Sequence, residues 1–237
     1  MVLVHGLGGN LHSWDEIAAS LEQRFSILRY DLRGHGDSHN PHGPWTLEDF
    51  VDDLEDVLAH HCDEPIYLAG FSLGGLVSQG FTLRHPERVG KLVILSAVAG
   101  RTEAERQKVL ERVANLERGD LDTNIELALE RWFSPGFRKN HPERVRRRLD
   151  ALKANDPEGY LNAYRVFGLG DLADKLHKIS CPTLVMTGEF DPGSNVRMAK
   201  LMHEKIPGSR LEILPGLRHS ILVEAPGLVA RKLDEFF

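Results

Sequence analysis

A serine in a turn flanked by glycines constrains this chain more than any other stretch. An apolar run at residues 65–69 leads into Gly-Phe-Ser-Leu-Gly at residues 70–74, and residues 75–81 have the composition of a helix. A strand, a G-x-S-x-G pentapeptide and a helix in this order predict a very tight turn, in which the glycines make room for the backbone. The serine, Ser72, is then held clear of the sheet. Because the helix N-terminus beneath it favours negative charge, Ser72 is a candidate nucleophile.

A second glycine-rich turn follows the apolar run at residues 2–5. Residues 5–9 read His-Gly-Leu-Gly-Gly, and such a backbone can turn sharply and point its N–H groups inward, as an oxyanion hole requires. The phosphate-binding patterns G-x-x-x-x-G-K-[ST] and G-x-G-x-x-G are absent from the sequence. We therefore expect the backbone N–H groups of Leu7 and Leu73 to form an oxyanion hole.

Strand and helix patterns alternate over most of the chain, which predicts an α/β fold with a mostly parallel sheet flanked by helices. Residues 100–175 depart from this alternation, because helical periodicities follow one another there without a strand. We predict that residues 1–99 and 176–237 form the core. Residues 100–175 are then a helical cap, lying above the strand ends where ligands of such sheets bind.

Side chains of the predicted cap could reach the substrate. Trp132, Tyr164 and Phe167 are candidate pocket residues, although they could equally form the cap's own core. The most basic run of the cap contains four arginines, which we expect to form a solvated helix face rather than an anion-binding patch: Arg144, Arg146, Arg147 and Arg148.

An acid and a histidine complete a candidate catalytic triad. Asp191 and His219 each lie just past a predicted strand, so both should meet Ser72 at one edge of the sheet. In that arrangement Ser72 attacks a carbonyl carbon, His219 transfers the proton and Asp191 orients the imidazole. Glu189 and Glu224 are competing acids, but Glu189 lies within the strand exit and Glu224 is expected to open the last helix.

Composition limits the class of partner. The chain has 237 residues and a net charge of −6, which gives no reason to expect binding to nucleic acid or to an anionic membrane. Cys62 and Cys181 form no C-x-x-C pair, and no spacing suggests a metal site, so we expect neither a metal nor a cofactor. The sequence shows neither an apolar run long enough to span a membrane nor a charged-then-apolar leader, so the default expectation is a cytoplasmic protein. The sequence does not indicate an oligomeric state.

The chain resembles α/β-hydrolase fold enzymes along essentially its whole length. Within them it is most similar to 3-oxoadipate enol-lactone hydrolases and related carboxylesterases. The resemblance implies two further strands before the first residue, apparently missing here, and a cap inserted after the sixth strand of the family's sheet. It rests on five stretches: His-Gly-Leu-Gly-Gly at 5–9, Asp-Leu-Arg-Gly-His-Gly-Asp-Ser at 31–38, Gly-Phe-Ser-Leu-Gly-Gly at 70–75, Gly-Glu-Phe-Asp at 188–191, and His219.

The resemblance implies a serine hydrolase that cleaves a small carboxylic ester or lactone through an acyl-enzyme, with 3-oxoadipate enol-lactone as one candidate substrate. The sequence departs from the enol-lactonase pattern at residues 161–165 and 220–222, which leaves that substrate open. A carbon–carbon bond hydrolase or a perhydrolase would keep the same triad, so both remain alternatives. A dehalogenase of this fold would need Asp in place of Ser72. The non-enzyme alternative is a small-ligand receptor.

Overall fold

The computed structural model describes residues 1–62, 64–119 and 121–237, with the backbone alone at 121–124. Its six strands lie in the order β2-β1-β3-β4-β5-β6, and every neighbouring pair is parallel. The predicted α/β fold with a parallel sheet is therefore confirmed. The strands are β1 (Val2–Val4), β2 (Leu28–Tyr30), β3 (Ile66–Phe71), β4 (Val89–Leu95), β5 (Thr183–Gly188) and β6 (Arg210–Leu214).

Helices connect the strands and also follow one another between β4 and β5. Those of the alternating part are α1 (Asp15–Leu21), α2 (Leu47–His61), α3 (Leu73–Arg84), α9 (Val196–Lys205), α10 (Ile221–Glu224) and α11 (Pro226–Phe236). The intervening ones are α4 (Glu103–Glu117), α5 (Leu121–Trp132), α6 (Pro135–Asn140), α7 (Pro142–Lys153) and α8 (Pro157–Leu169).

Each face of the sheet has its own hydrophobic core, because successive strand residues point to opposite sides. On one side, Val2 and Val4 of β1 belong to the cluster that contains Phe50 of α2 and Phe81 of α3. On the other side, Leu3 belongs to the cluster formed by α1 and α11. The near-continuous apolar strands are therefore explained by burial on both faces.

Helices α4 to α8, which we call the inserted helices, have a core of their own. It contains Val109 and Val113 of α4, Leu152 of α7, and Tyr160 and Tyr164 of α8. The sequence pattern did not indicate α6, a short helix that begins where the side chain of Ser134 accepts a hydrogen bond from the backbone of Phe137. The division of the chain into a core and a cap stays a prediction.

None of the helices in the described part of the chain combines the length and the apolar composition needed to cross a membrane.

Gly74 is where α3 passes closest to β1. A Cβ atom at this position would overlap the carbonyl oxygens of Val4 and His5. Gly74→Ala should therefore lower the free energy of unfolding by about 1–3 kcal/mol, as overpacking does. Urea titrations of the variant and the wild type measure this difference.

Gly136→Ala is the matched control, because a Cβ there meets nothing within 4 Å and the residue lies in the first turn of α6. It should be neutral or slightly stabilising, since alanine is the better helix former. Equal stability of the two variants would show that the contact at Gly74 can relax at no cost.

Candidate active site

Ser72 occupies a strained turn between β3 and α3. Its φ of 54° and ψ of −112° lie in a region that residues other than glycine rarely adopt. Its backbone N–H donates to the carbonyl of Leu95 at 2.8 Å, which ties the turn to β4. A Cβ at Gly70 would overlap the backbone of Gly74. The two glycines thus allow a close approach that holds the Ser72 side chain above the sheet.

The structure brings the three predicted triad side chains into one chain of hydrogen bonds. His219 Nε2 lies 3.2 Å from Ser72 Oγ, and His219 Nδ1 lies 2.7 Å from Asp191 Oδ2. The Asp191 side chain is fully buried and that of His219 is 15% exposed. The other carboxylate oxygen of Asp191 accepts hydrogen bonds from the backbone N–H groups of Gly193 and Ser194, both at 2.9 Å. Asp191 therefore has a fixed orientation toward the imidazole.

The competing acids are engaged elsewhere. Glu189 accepts a hydrogen bond from the backbone of Gly216 at 2.9 Å. Glu224 does not open the last helix, as the sequence suggested, but ends the short helix α10. Its carboxylate accepts hydrogen bonds from the backbone N–H groups of Ser134 and Arg218, at 2.8 and 2.9 Å. It therefore ties the loop before His219 to the inserted helices.

The two predicted oxyanion donors belong to the two segments that meet at Ser72. Leu73 is the first residue of α3, where a backbone N–H has no acceptor within the helix. Leu7 lies in the glycine loop, and Leu7 and Ser72 line the same cavity. A Cβ at Gly6 would lie 3.1 Å from the Ser72 Cβ, so the loop is in contact with the serine. Their role as an oxyanion hole stays a prediction.

A cavity of about 250 Å³ opens over Ser72 and His219. The predicted pocket residues Trp132, Tyr164 and Phe167 all line it. Tyr164 and Trp132 also pack in the core of the inserted helices. These two side chains therefore line the cavity and belong to the core at the same time.

Basic side chains line the same cavity, and among them the sequence pattern singled out Arg148 alone: Arg101, Lys108, Arg112, Arg131 and Arg148. Among the described residues, no carboxylate forms an ion pair with any of these five. The cavity's two acids are already bound, Asp191 by His219 and Glu105 by Arg197. The cavity wall therefore carries an excess of positive charge.

Arg148 does not lie on a solvated helix face, as the sequence suggests. It lines the cavity, donates to the carbonyl oxygens of Leu7 and Gly8, and its guanidinium lies 4.3 Å from the Trp132 ring centre. Arg146 and Arg147 are exposed as expected. The helical phase was the available signal, because position 148 follows the buried Val145 by three residues. Burial lowers the pKa of Arg148 to about 10, so the side chain stays charged at neutral pH.

Two buried histidines support the glycine loop. His35 Nε2 accepts the backbone N–H of Gly8 at 3.0 Å, and His5 Nε2 accepts that of Leu32 at 2.9 Å. Both rings must therefore be unprotonated at Nε2. Burial lowers the pKa of His5 to about 3 and that of His35 to about 4. His35 thus braces the glycine loop through the backbone of Gly8.

Among the described residues, no group of three or more His, Cys, Asp or Glu side chains is arranged to hold a metal ion.

Comparison with known proteins agrees with this architecture. The sequence pattern of the alpha/beta hydrolase fold matches residues 1–226. The chain belongs to the α/β-hydrolase family. The α/β-hydrolase fold predicted from the motifs is confirmed.

The relatives of this chain include hydrolases. The chain is 34% identical over 238 residues to (E)-2-((N-methylformamido)methylene)succinate hydrolase of Acinetobacter baylyi, which covers 99% of this chain and 88% of the relative. It is 30% identical over 226 residues to 3-oxoadipate enol-lactonase 2 of the same organism, covering 95% and 84%. The enol-lactonase of Burkholderia xenovorans superimposes with a TM-score of 0.93 at 25% identity, covering 99% and 89%. The predicted resemblance to enol-lactonases is confirmed.

The low pKa of His35 makes stability depend on pH. Between pH 6.5 and about 4 the unfolded chain protonates this residue and the folded protein does not, so the free energy of unfolding falls as the pH falls through this window. His35→Gln removes this titration. With falling pH, the free energy of unfolding of the variant should therefore fall more slowly than that of the wild type, by a difference of about 1 kcal/mol per pH unit. Urea titrations at about pH 8, 6 and 5 measure the slopes.

His61→Gln, at an exposed position outside the glycine loop, is the matched control. If His35→Gln and the wild type lose stability in parallel on acidification, then His35 is protonated in the folded protein and the interpretation of its hydrogen bonds is wrong.

Proposed function

We propose that this chain is a serine hydrolase that cleaves a carboxylic ester or lactone through an acyl-enzyme. The observation that carries the proposal is the continuous hydrogen-bond chain from Ser72 through His219 to Asp191. A nucleophile, a base within hydrogen-bond distance and a third group that orients the base are what acyl transfer requires. Membership of a hydrolase family with enol-lactonase relatives supports the same reaction class.

Each side chain has a defined part in the proposed reaction. Ser72 Oγ attacks the carbonyl carbon while His219 Nε2 takes its proton, and Asp191 holds Nδ1–H toward itself. The N–H groups of Leu7 and Leu73 stabilise the oxyanion that results. His219 then gives its proton to the leaving oxygen, which in a lactone stays tethered to the acyl group. A water molecule, deprotonated by His219, releases the acid and restores Ser72.

The basic cavity wall supports a substrate that carries a carboxylate in addition to the scissile ester. Arg112 and Arg131 line the cavity without a carboxylate partner among the described side chains. Arg112 Nε donates to the Tyr164 hydroxyl at 2.8 Å, which orients the guanidinium. Burial lowers the pKa of Arg131, and an anionic ligand would offset that cost of desolvation. The relatives include a hydrolase of a succinate derivative and 3-oxoadipate enol-lactonases.

The proposed nucleophile can be tested directly. Ser72→Ala should reduce kcat for p-nitrophenyl esters and for 3-oxoadipate enol-lactone by several orders of magnitude, because triad residues act as a unit. Steady-state hydrolysis measures the effect, and Ser20→Ala at an exposed position should retain wild-type rates. A folded wild type no faster than Ser72→Ala on every substrate would overturn the hydrolase proposal and favour the small-ligand receptor.

The proposed charge preference can be tested with a pair of substrates that differ in one charge. Arg131→Gln should lower kcat/KM for the monomethyl ester of a short dicarboxylic acid by about 10- to 100-fold, the range expected when a charged hydrogen bond is lost. The corresponding dimethyl ester should change by less than about threefold. Lys139→Gln, which is exposed on α6, should affect neither substrate. Equal losses for both esters would contradict a role for Arg131 in recognising charge.

A further inference from the structure

The glycine loop is held from across the fold by one arginine of the inserted helices. We propose that Arg148 is a positioning residue for the reaction, which fixes the Leu7–Gly8 peptide so that the Leu7 N–H faces the oxyanion formed at Ser72. This inference rests on the proposed function, since it concerns the oxyanion of that reaction.

The contact is a two-pronged one. Arg148 Nη1 donates to the carbonyl oxygen of Gly8 at 2.7 Å, and Nη2 donates to that of Leu7 at 2.9 Å. The planar guanidinium presents these donors in a fixed geometry, so two bonds to successive carbonyls restrain the orientation of the loop as well as its distance. A lysine ammonium at this position would be a single point charge without that geometry.

The peptide between Leu7 and Gly8 is restrained at both of its polar groups. Its carbonyl accepts from Arg148, and its N–H, which belongs to Gly8, donates to His35 Nε2 at 3.0 Å. Gly8 has a φ of 66°, and a Cβ there would overlap Leu152 of α7. The inserted helices therefore pack directly on this peptide. Arg148 donates to its carbonyl, and Asn155 Nδ2 adds a longer contact, 3.4 Å, to the carbonyl oxygen of Gly8.

The preceding peptide is restrained in a way that leaves one N–H free for the oxyanion. The carbonyl of Gly6 accepts hydrogen bonds from the Gly9 N–H at 3.0 Å and from His5 Nδ1 at 2.8 Å. In a trans peptide the N–H points away from the carbonyl, so the Leu7 N–H of the same unit points away from His5. Within the described part of the chain, no acceptor is recorded for it. The two restrained peptides together set the direction of this N–H.

The charge of Arg148 is suited to a position beside a developing oxyanion. Among the described residues no carboxylate pairs with it, and the carbonyl oxygens and the Trp132 ring are its partners instead. A paired carboxylate would place a negative charge next to the oxyanion and oppose its formation. The carbonyl of Trp132 also accepts from the backbone N–H of Ser220 at 2.9 Å, so this cluster contacts the segment that carries His219.

The test uses Arg148→Met and Arg148→Lys with an uncharged p-nitrophenyl ester, so that recognition of an anionic substrate does not contribute. For Arg148→Met we expect kcat to fall by about 30- to 100-fold, somewhat less than the loss of an oxyanion donor itself, while KM changes by less than about threefold. Affinity for a trifluoromethyl ketone, which forms an oxyanion adduct with the serine, should fall by a factor close to the loss in kcat/KM. Arg148→Lys, which keeps the charge but not the two N–H donors in fixed geometry, should still lose about tenfold in kcat.

Arg147→Met is the matched control, because Arg147 is exposed on the same helix and does not line the cavity above Ser72. It should keep wild-type kcat and KM. If Arg148→Met does not fold, Arg148→Lys carries the test by the same two measurements.

Three outcomes would overturn the inference. A rise in KM with kcat unchanged would make Arg148 a substrate ligand. A kcat loss without weaker binding of the trifluoromethyl ketone would indicate a purely structural role. Wild-type kcat in Arg148→Lys would show that the positive charge suffices without the two hydrogen bonds to the Leu7 and Gly8 carbonyls. Failure of the proposed function is distinguishable from all of these, because only then would Ser72→Ala match the wild type.

Discussion

Gly74 lies where the first turn of α3 crosses the carbonyl groups of Val4 and His5, and no side chain fits between them. Because α3 begins at Leu73, this contact also brings the start of the helix and the strained Ser72 next to the loop that follows β1. The remaining distances in the candidate site depend on this close approach. The turn holds Ser72 in a rarely populated backbone conformation, which costs about 1–3 kcal/mol. The packing of the buried strands on either side maintains this conformation.

The parts of the site that could be predicted from the sequence are those whose geometry is local. Ser72 and its glycines are fixed by a five-residue turn. Asp191 and His219 each follow a strand, and in a parallel sheet the carboxyl ends of the strands meet at the same edge. Arg148 could not be placed in this way, because its contact with Gly8 spans 140 residues. The basic cavity wall could not be placed for the same reason, since its side chains come from α4, α5, α7 and the segment just before α4, which are far apart in the sequence.

Of the three side chains that hold the glycine loop, Arg148 is charged and the two histidines, His5 and His35, are neutral at neutral pH. Burial lowers the pKa of His5 to about 3, that of His35 to about 4 and that of Arg148 to about 10. Between these limits none of the three changes its protonation state, so the loop keeps the same hydrogen bonds over the whole neutral range. A titration that affects the proposed reaction at neutral pH then has to arise outside this set of supports.

The excess positive charge of the cavity has a consequence for the end of the proposed reaction as well as for its start. Hydrolysis of an ester or lactone releases a new carboxylate, so a product derived from an anionic substrate carries one more negative charge than the substrate did. The arginines that favour binding would therefore hold the product more tightly. An open groove adjoins the cavity at Arg112 and Arg131 and continues past Lys108 to Arg218. Glu111 and Glu130 also line this groove, so part of its positive charge is offset on the way to solvent.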